Sequence, residues 1–149
     1  MEVYIGADYK GFDKKASAIQ FLTNAGVNVV DVGAYEKNEG DDFNGPAVTV
    51  ALAVRKNPSA RGVLICDSAH GVTMQANRFK GVRAANCSSV ESAKLAREHD
   101  DANILCMSAH FLGDDEIRKI VQVFLTTNFE PLERRLRRIK KLDERNDYD

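Results

Sequence analysis

Tryptophan is absent from this sequence, and proline and cysteine occur only three times each. Cys66, Cys87 and Cys106 are an odd number, so they cannot all pair within one chain, and their spacing fits no zinc motif. That excludes a disulfide scaffold and leaves a reducing, cytoplasmic compartment as the expectation. No apolar run approaches the roughly 18 residues of a membrane span, so no membrane partner is expected. An excess of one charge is also missing: 21 basic residues face 22 acidic ones, for a net charge of −1. A nucleic-acid binder relying on a basic surface does not fit that balance. The opening segment, Met1 to Asp8, has no basic stretch and only a short apolar run, so it reads as a strand rather than a secretory leader. Neither a dinucleotide fingerprint nor a P-loop occurs; Gly6 and Gly11 have the wrong spacing for either. His70, His99 and His110 are scattered without ligand spacing, so no metal site is expected.

What is present is ordinary in bulk, with 44% hydrophobic and 29% charged residues in a length that favours one domain, 1–149. Short apolar segments alternate with helical patterns. Val3–Ala7, Val27–Val32, Gly62–Cys66, Gly81–Ala85 and Asn103–Met107 read as strands. Gly62–Cys66 is wholly apolar, as a strand buried on both faces should be. Helices are expected from Gly11 to Gly26, from Pro46, around Thr73 to Asn77, from Val90 to Glu98 behind a Ser88 or Ser89 cap, and from Asp114 through Phe124. The fold class is therefore α/β. It is a three-layer α/β/α sandwich with a doubly wound, Rossmann-like sheet of five parallel strands. The C-terminal tail, 130–149, is a further helix rich in Arg and Lys, including Arg134, Arg137 and Arg145. Leu132, Leu136, Ile139 and Leu142 put an apolar stripe along it. The tail is expected to pack on its own body or on a partner subunit.

In such sheets ligands sit beyond the C-terminal strand ends. That rule points at Asp8, at Cys66 and at the Ser108-Ala109-His110 loop. Cys66 enters the loop Asp67-Ser68-Ala69-His70-Gly71 ahead of a helix whose free N–H groups lower a thiol pKa and hold anions. It is either a proton-transfer group or a buried structural cysteine, as Cys106 is taken to be. His99 is a general acid or base, or a surface histidine beside acids. Asp8 orients a hydroxyl or forms a turn. The tail arginines bind a phosphate or form a solvated face.

Taken together, Ile5-Gly6-Ala7-Asp8 with Gly11-Phe12, Val30-Asp31-Val32-Gly33, Gly62 to Cys66, Ala76-Asn77-Arg78-Phe79 with Gly81 to Ala85, and Ala93 to His99 through Ala102-Asn103 resemble the type B ribose-5-phosphate isomerases. The related galactose-6-phosphate isomerase subunits share the pattern, which runs from about Val3 to Phe129. The resemblance implies a cofactor-free aldose–ketose isomerase of phosphorylated sugars that works through a cis-enediolate. It also implies a dimer or tetramer with active sites at the subunit interface. Cys66 would move the proton, with Ser68 and Gly71 in the anion-stabilising loop. Asp8 would bind sugar hydroxyls, His99 would enter from the partner, and Arg137 would hold the phosphate.

Several positions depart from the family pattern, and most line that site. Tyr9 replaces a histidine, Phe43 a tyrosine, Asp67 and Ala69 two loop glycines, and Asp100 an asparagine. His110 replaces an arginine and Glu133 another, with Arg134 and Arg135 expected to compensate. Asp67 places negative charge where an enediolate develops, unless a cation offsets it. Tyr9, Asp67, Ala69, His70, Gly71, Asp100, His110, Arg134 and Arg137 are thus the expected substrate shell. The alternative is a non-catalytic or partner-dependent subunit working with a paralogous chain, as in the two-chain galactose-6-phosphate enzyme. A flavodoxin-like nucleotide module would rest on fold class alone.

Overall fold

The computed structural model describes residues 1–144; Arg145, counted above in the tail, lies outside the described residues. Five strands form one all-parallel sheet: β1 (Glu2–Ala7), β2 (Asn28–Asp31), β3 (Arg61–Cys66), β4 (Ala84–Asn86) and β5 (Ile104–Ser108). Their order across the sheet is β2-β1-β3-β5-β4. Six helices connect or follow them: α1 (Phe12–Asn24), α2 (Asn44–Lys56), α3 (His70–Ala76), α4 (Val90–Asp100), α5 (Asp114–Thr126) and α6 (Glu133–Asp143). The chain leaves β1 toward β2 and then returns past it to β3, so the switch point lies between β1 and β3.

Alternation along β3 divides the core in two. Val63 and Ile65 face α1, α4 and α5, where Leu22, Ala93, Ile117 and Phe124 bury against them. Leu64 and Cys66 face α2 and α3, against Val50, Val54, Val72 and Ala76. Both faces of the central strand are dry, which is why its sequence carries no polar alternation. Helices on both faces complete the expected three layers.

Most boundaries shift by a residue or two, and three of the shifts have an identifiable local reason. Helix α3 opens at His70 rather than near Thr73, because Ala69 takes a left-handed backbone (φ 68°) and turns the chain straight into it. Gly71 therefore lies in the first helical turn, not in a loop. Strand β4 begins at Ala84 rather than Gly81. Gly81 is a turn residue (φ 82°), and the Arg83 N–H donates to the Asn103 side chain at 2.8 Å instead of to a ladder. Helix α2 starts at Asn44, two residues before Pro46, which still falls in the first turn where no N–H is needed. Of the two expected caps, Ser88 or Ser89, it is Ser89 that forms, its hydroxyl accepting from the Ser92 N–H at 3.1 Å.

The tail docks on its own chain through polar contacts. Arg135, only 8% exposed, donates to the carbonyls of Glu98 and Glu130 and to the Glu130 carboxylate. At the far end, Asp143 accepts from the Gly81 N–H at 2.7 Å. Burial of Arg135 in this joint removes it from the compensating role expected of it opposite Glu133. The apolar stripe is not covered: Leu132, Leu136 and Leu142 stay 41%, 51% and 65% exposed. No described helix is long and apolar enough to cross a membrane.

Candidate active site

Ladder register aligns three strand ends. Ala7 of β1 pairs with Ile65, so Asp8 follows beside Cys66, and Cys66 itself pairs with Ser108 of β5. The start of α1 presses close to this edge. A Cβ on Gly11 would lie 2.2 Å from the Ile65 carbonyl oxygen, so only glycine permits the approach. That approach lets the Gly11 N–H donate to Asp8 Oδ1 at 3.0 Å and fixes the carboxylate, which is 8% exposed. Burial pushes the Asp8 carboxyl above the usual carboxylate range, opposed by the N–H groups of Gly11 and Lys10 and reinforced by the charge of Asp67.

Cys66 is 4% exposed. Burial pushes its thiol up. The backbone N–H groups of Val72, Ala69 and Ser68 pull the other way, and the Asp8 charge adds to the rise. The expectation of a thiol activated by the following helix is thus corrected. The amides are in place, but desolvation outweighs them and the resting group is the thiol. Cys106 is a different case. It is fully buried, pushed up to about 12, and is the structural cysteine it was taken to be.

The loop holds its shape despite losing glycine. Ala69 adopts the left-handed conformation that glycine takes freely, at a cost of about 1–2 kcal/mol. Gly71 is required by packing. A Cβ there would meet the Phe43 ring at 2.7 Å, so Phe43 lies over the first turn of α3. Ser68 Oγ faces the His70 N–H at 3.3 Å, and the Asn86 amide donates to His70 Nδ1 at 3.2 Å. Tyr9 is half-buried beside this edge, with the Lys10 ammonium 5.4 Å from its ring centre.

The β5 loop is stitched onto the Cys66 loop. The Ala109 N–H donates to the Cys66 carbonyl at 2.8 Å, and the His110 N–H to the Asp67 carbonyl at 3.1 Å. Ser108 Oγ donates to that same carbonyl at 2.6 Å and accepts from the N–H groups of His110 and Phe111. Ser108 was not among the expected site residues. The sequence marked its loop, but the bond that joins the two loops runs to a carbonyl 41 residues away. His110 Nδ1 lies 3.6 Å from Asp67 Oδ1, so the loop carboxylate has an ionisable neighbour able to offset it.

Asp8, Tyr9, Cys66, Asp67, Ser68, Ala69, His70, Gly71 and His110 thus gather at the C-terminal edge of the sheet. His99, Asp100, Arg134 and Arg137 do not. His99 and Asp100 end α4, which runs back to the start of β5, so they sit at the opposite edge. Arg137 contacts both carboxylate oxygens of Glu133 at 3.2 Å, while Arg134 is exposed. A 470 Å³ depression lined by Gly33, Tyr35, Asp41, Asp42 and Pro46 lies beyond the end of β2 and contains none of these groups.

Known proteins resemble this chain in sequence and in backbone. A family model described as Ribose/Galactose Isomerase matches residues 3–142. The probable ribose-5-phosphate isomerase B of Mycoplasma genitalium is 43% identical over 94% of this chain and 92% of its own length. The ribose-5-phosphate isomerase B of Escherichia coli is 35% identical over 87% and 86%. Among solved structures, the Mycoplasma genitalium enzyme with bound ribulose 5-phosphate superposes with a TM-score of 0.91 at 42% identity, covering 95% of this chain and 93% of that one. A ribose 5-phosphate isomerase from Thermotoga maritima gives 0.93 at 34% identity, covering 97% and 98%. A likeness that spans nearly the whole of both partners, in sequence and in backbone, settles the kinship: the chain belongs to the ribose/galactose isomerase family.

Proposed function

We propose that this chain is an aldose–ketose isomerase that interconverts ribose 5-phosphate and ribulose 5-phosphate. The observation that carries the reading is a single buried thiol at the end of β3, faced by the N–H groups of Ser68, Ala69 and Val72 and flanked by Asp8. A relative superposing on that framework holds ribulose 5-phosphate.

In the forward direction the Cys66 thiolate takes the C2 proton of the open-chain aldose. The C–H electron pair becomes the C1–C2 double bond, and the aldehyde oxygen gains the negative charge. Loop amides aimed at that oxygen stabilise the cis-enediolate in a water-poor site. The hydroxyl proton of O2 passes to O1, and the thiol returns its proton to C1 as O2 becomes the ketone. Asp8 orients the sugar hydroxyls. Because burial favours the thiol, the reactive thiolate is the minor form at neutral pH and turnover rises with pH.

His99 and the tail arginines stand at the wrong edge to serve their own Cys66. A site containing both takes a second copy, whose α4 end and tail supply the ring-opening histidine and the phosphate cations Arg134 and Arg137. The exposed leucines of α6 support the same arrangement, since about 25 cal/mol per Å² favours covering them. The working form is a homo-oligomer in a reducing, cytoplasmic compartment, in keeping with three free cysteines.

The test is a panel of phosphorylated aldoses and ketoses given to the isolated protein. Interconversion of the ribose and ribulose 5-phosphates is expected. Turnover of galactose 6-phosphate instead, or turnover only after a paralogous chain is added, would overturn the substrate and favour the two-chain alternative.

A further inference from the structure

At the opposite edge of the sheet from Cys66, a 270 Å³ pocket is lined by Arg55, Arg61, Arg83, Asp101, Asn103 and Gly81, with Val54 and Pro58 as its apolar wall. Its charges do not balance. Both carboxylate oxygens of Asp101 are taken, Oδ2 by Arg83 Nη2 at 2.9 Å and Oδ1 by Arg97 Nη1 at 2.8 Å. Arg83 Nε spends itself on the Asp101 carbonyl. The Asn103 amide is also used up, accepting from the Arg83 N–H and donating to the Gly81 carbonyl. Arg61 is left with one bond, to the Ala60 carbonyl, and neither Arg61 nor Arg55 has an ion pair among the described residues. Burial disfavours the Arg61 charge, the guanidiniums of Arg97 and Arg83 repel it, and Asp101 offsets this in part. Gly81, in the lining, gives its N–H to Asp143 of the tail. Among the described residues, three guanidiniums therefore line a cavity whose one lining carboxylate is already engaged through both oxygens.

We infer that this pocket is a second anion site, which takes a phosphate group through Arg61, Arg83 and Arg55. Arg61 supplies the half-buried donor, Arg83 lies across from it, and Arg55 closes the side from α2. Guanidinium forks match a phosphate's oxygens in geometry and charge. An anion here relieves repulsion that the fold otherwise leaves standing. The pocket has room for inorganic phosphate or the phosphate end of a small ester. The pocket lies at the edge that offers His99 and the tail arginines to a partner's Cys66 site, but none of His99, Arg134 and Arg137 lines it.

Amide NMR of the full chain separates the two edges. Inorganic phosphate and glycerol 3-phosphate are titrated in parallel, with sodium chloride at matched ionic strength as control. Saturable shifts at Arg61, Gly81 and Asn103 are expected, lost in Arg61→Gln and weakened several-fold in Arg55→Gln, an exposed position that does not threaten folding. Saturation by phosphate identifies the free ion as sufficient; saturation by the ester alone identifies a phosphomonoester. Shifts confined to the Cys66 loop and α6, shifts reproduced by chloride, or shifts unchanged in both variants would overturn the proposal.

Discussion

Asp67 and His110 meet at 3.6 Å across the seam between the loops that follow β3 and β5. Both side chains are more than half exposed, so screening limits what the pair is worth. The loop carboxylate nevertheless follows Cys66 directly, in the loop whose amides are proposed to hold the enediolate. His110→Ala should lower kcat/KM several-fold, and Asp67→Asn should recover most of that loss when added to it. The double-mutant cycle should show a coupling up to about 1 kcal/mol. Additive effects in kcat/KM would show that the two side chains act separately.

Ser108 holds the same seam from below. Its hydroxyl bonds the Asp67 carbonyl and two N–H groups, and the side chain is buried. Ser108→Ala strands these partners, at about 1–3 kcal/mol. Denaturant unfolding should show that loss. Because the Cys66 loop is loosened, kcat should fall more than KM rises. Ser108→Thr, which keeps the hydroxyl, should restore both.

Asp8 makes stability and activity depend on pH in a defined direction. Its folded carboxyl is raised by burial, so its contribution to stability is present below the unfolded carboxyl range and is lost as pH rises through the folded value. Asp8→Asn keeps an oxygen for the Gly11 N–H and removes the charge. Its Tm should exceed that of the parent at neutral pH, and the difference should vanish in acid. The Asp8 charge also raises the Cys66 thiol, so the alkaline-rising limb of kcat/KM should move to lower pH in Asp8→Asn. A limb that stays in place would detach the profile from Cys66.

Cys66 and His99 occupy opposite edges of one chain. If one site draws on both, Cys66→Ala and His99→Ala homo-oligomers should each be nearly inactive. Co-refolded one-to-one, dimers of the two should regain about a quarter of parental turnover. Half of the dimers are mixed, and one of the two sites in each is intact. No recovery on mixing would place His99 outside the Cys66 site.

Much of this was legible in the sequence because it depends on local pattern. The all-apolar run Gly62–Cys66 announced a central strand, and the pair Ser88-Ser89 announced a cap for α4. Strand-end position singled out Asp8 and Cys66. What stayed hidden depends on chain segments meeting in space. Strand β4 starts late because Asn103, twenty residues on, takes the Arg83 N–H. Ser108 was missed because it works on a carbonyl 41 residues away. The direction of the Cys66 shift was misjudged because N–H groups can be counted from a loop, whereas the burial that outweighs them cannot.

Isomerisation of ribose 5-phosphate by the parent protein and by Cys66→Ala, followed at the same protein concentration, tests the central claim most directly. General acid–base catalysis predicts a fall in kcat of about 10²–10⁴-fold with little change in KM and an unchanged fold. Turnover by Cys66→Ala at the parental rate would contradict it.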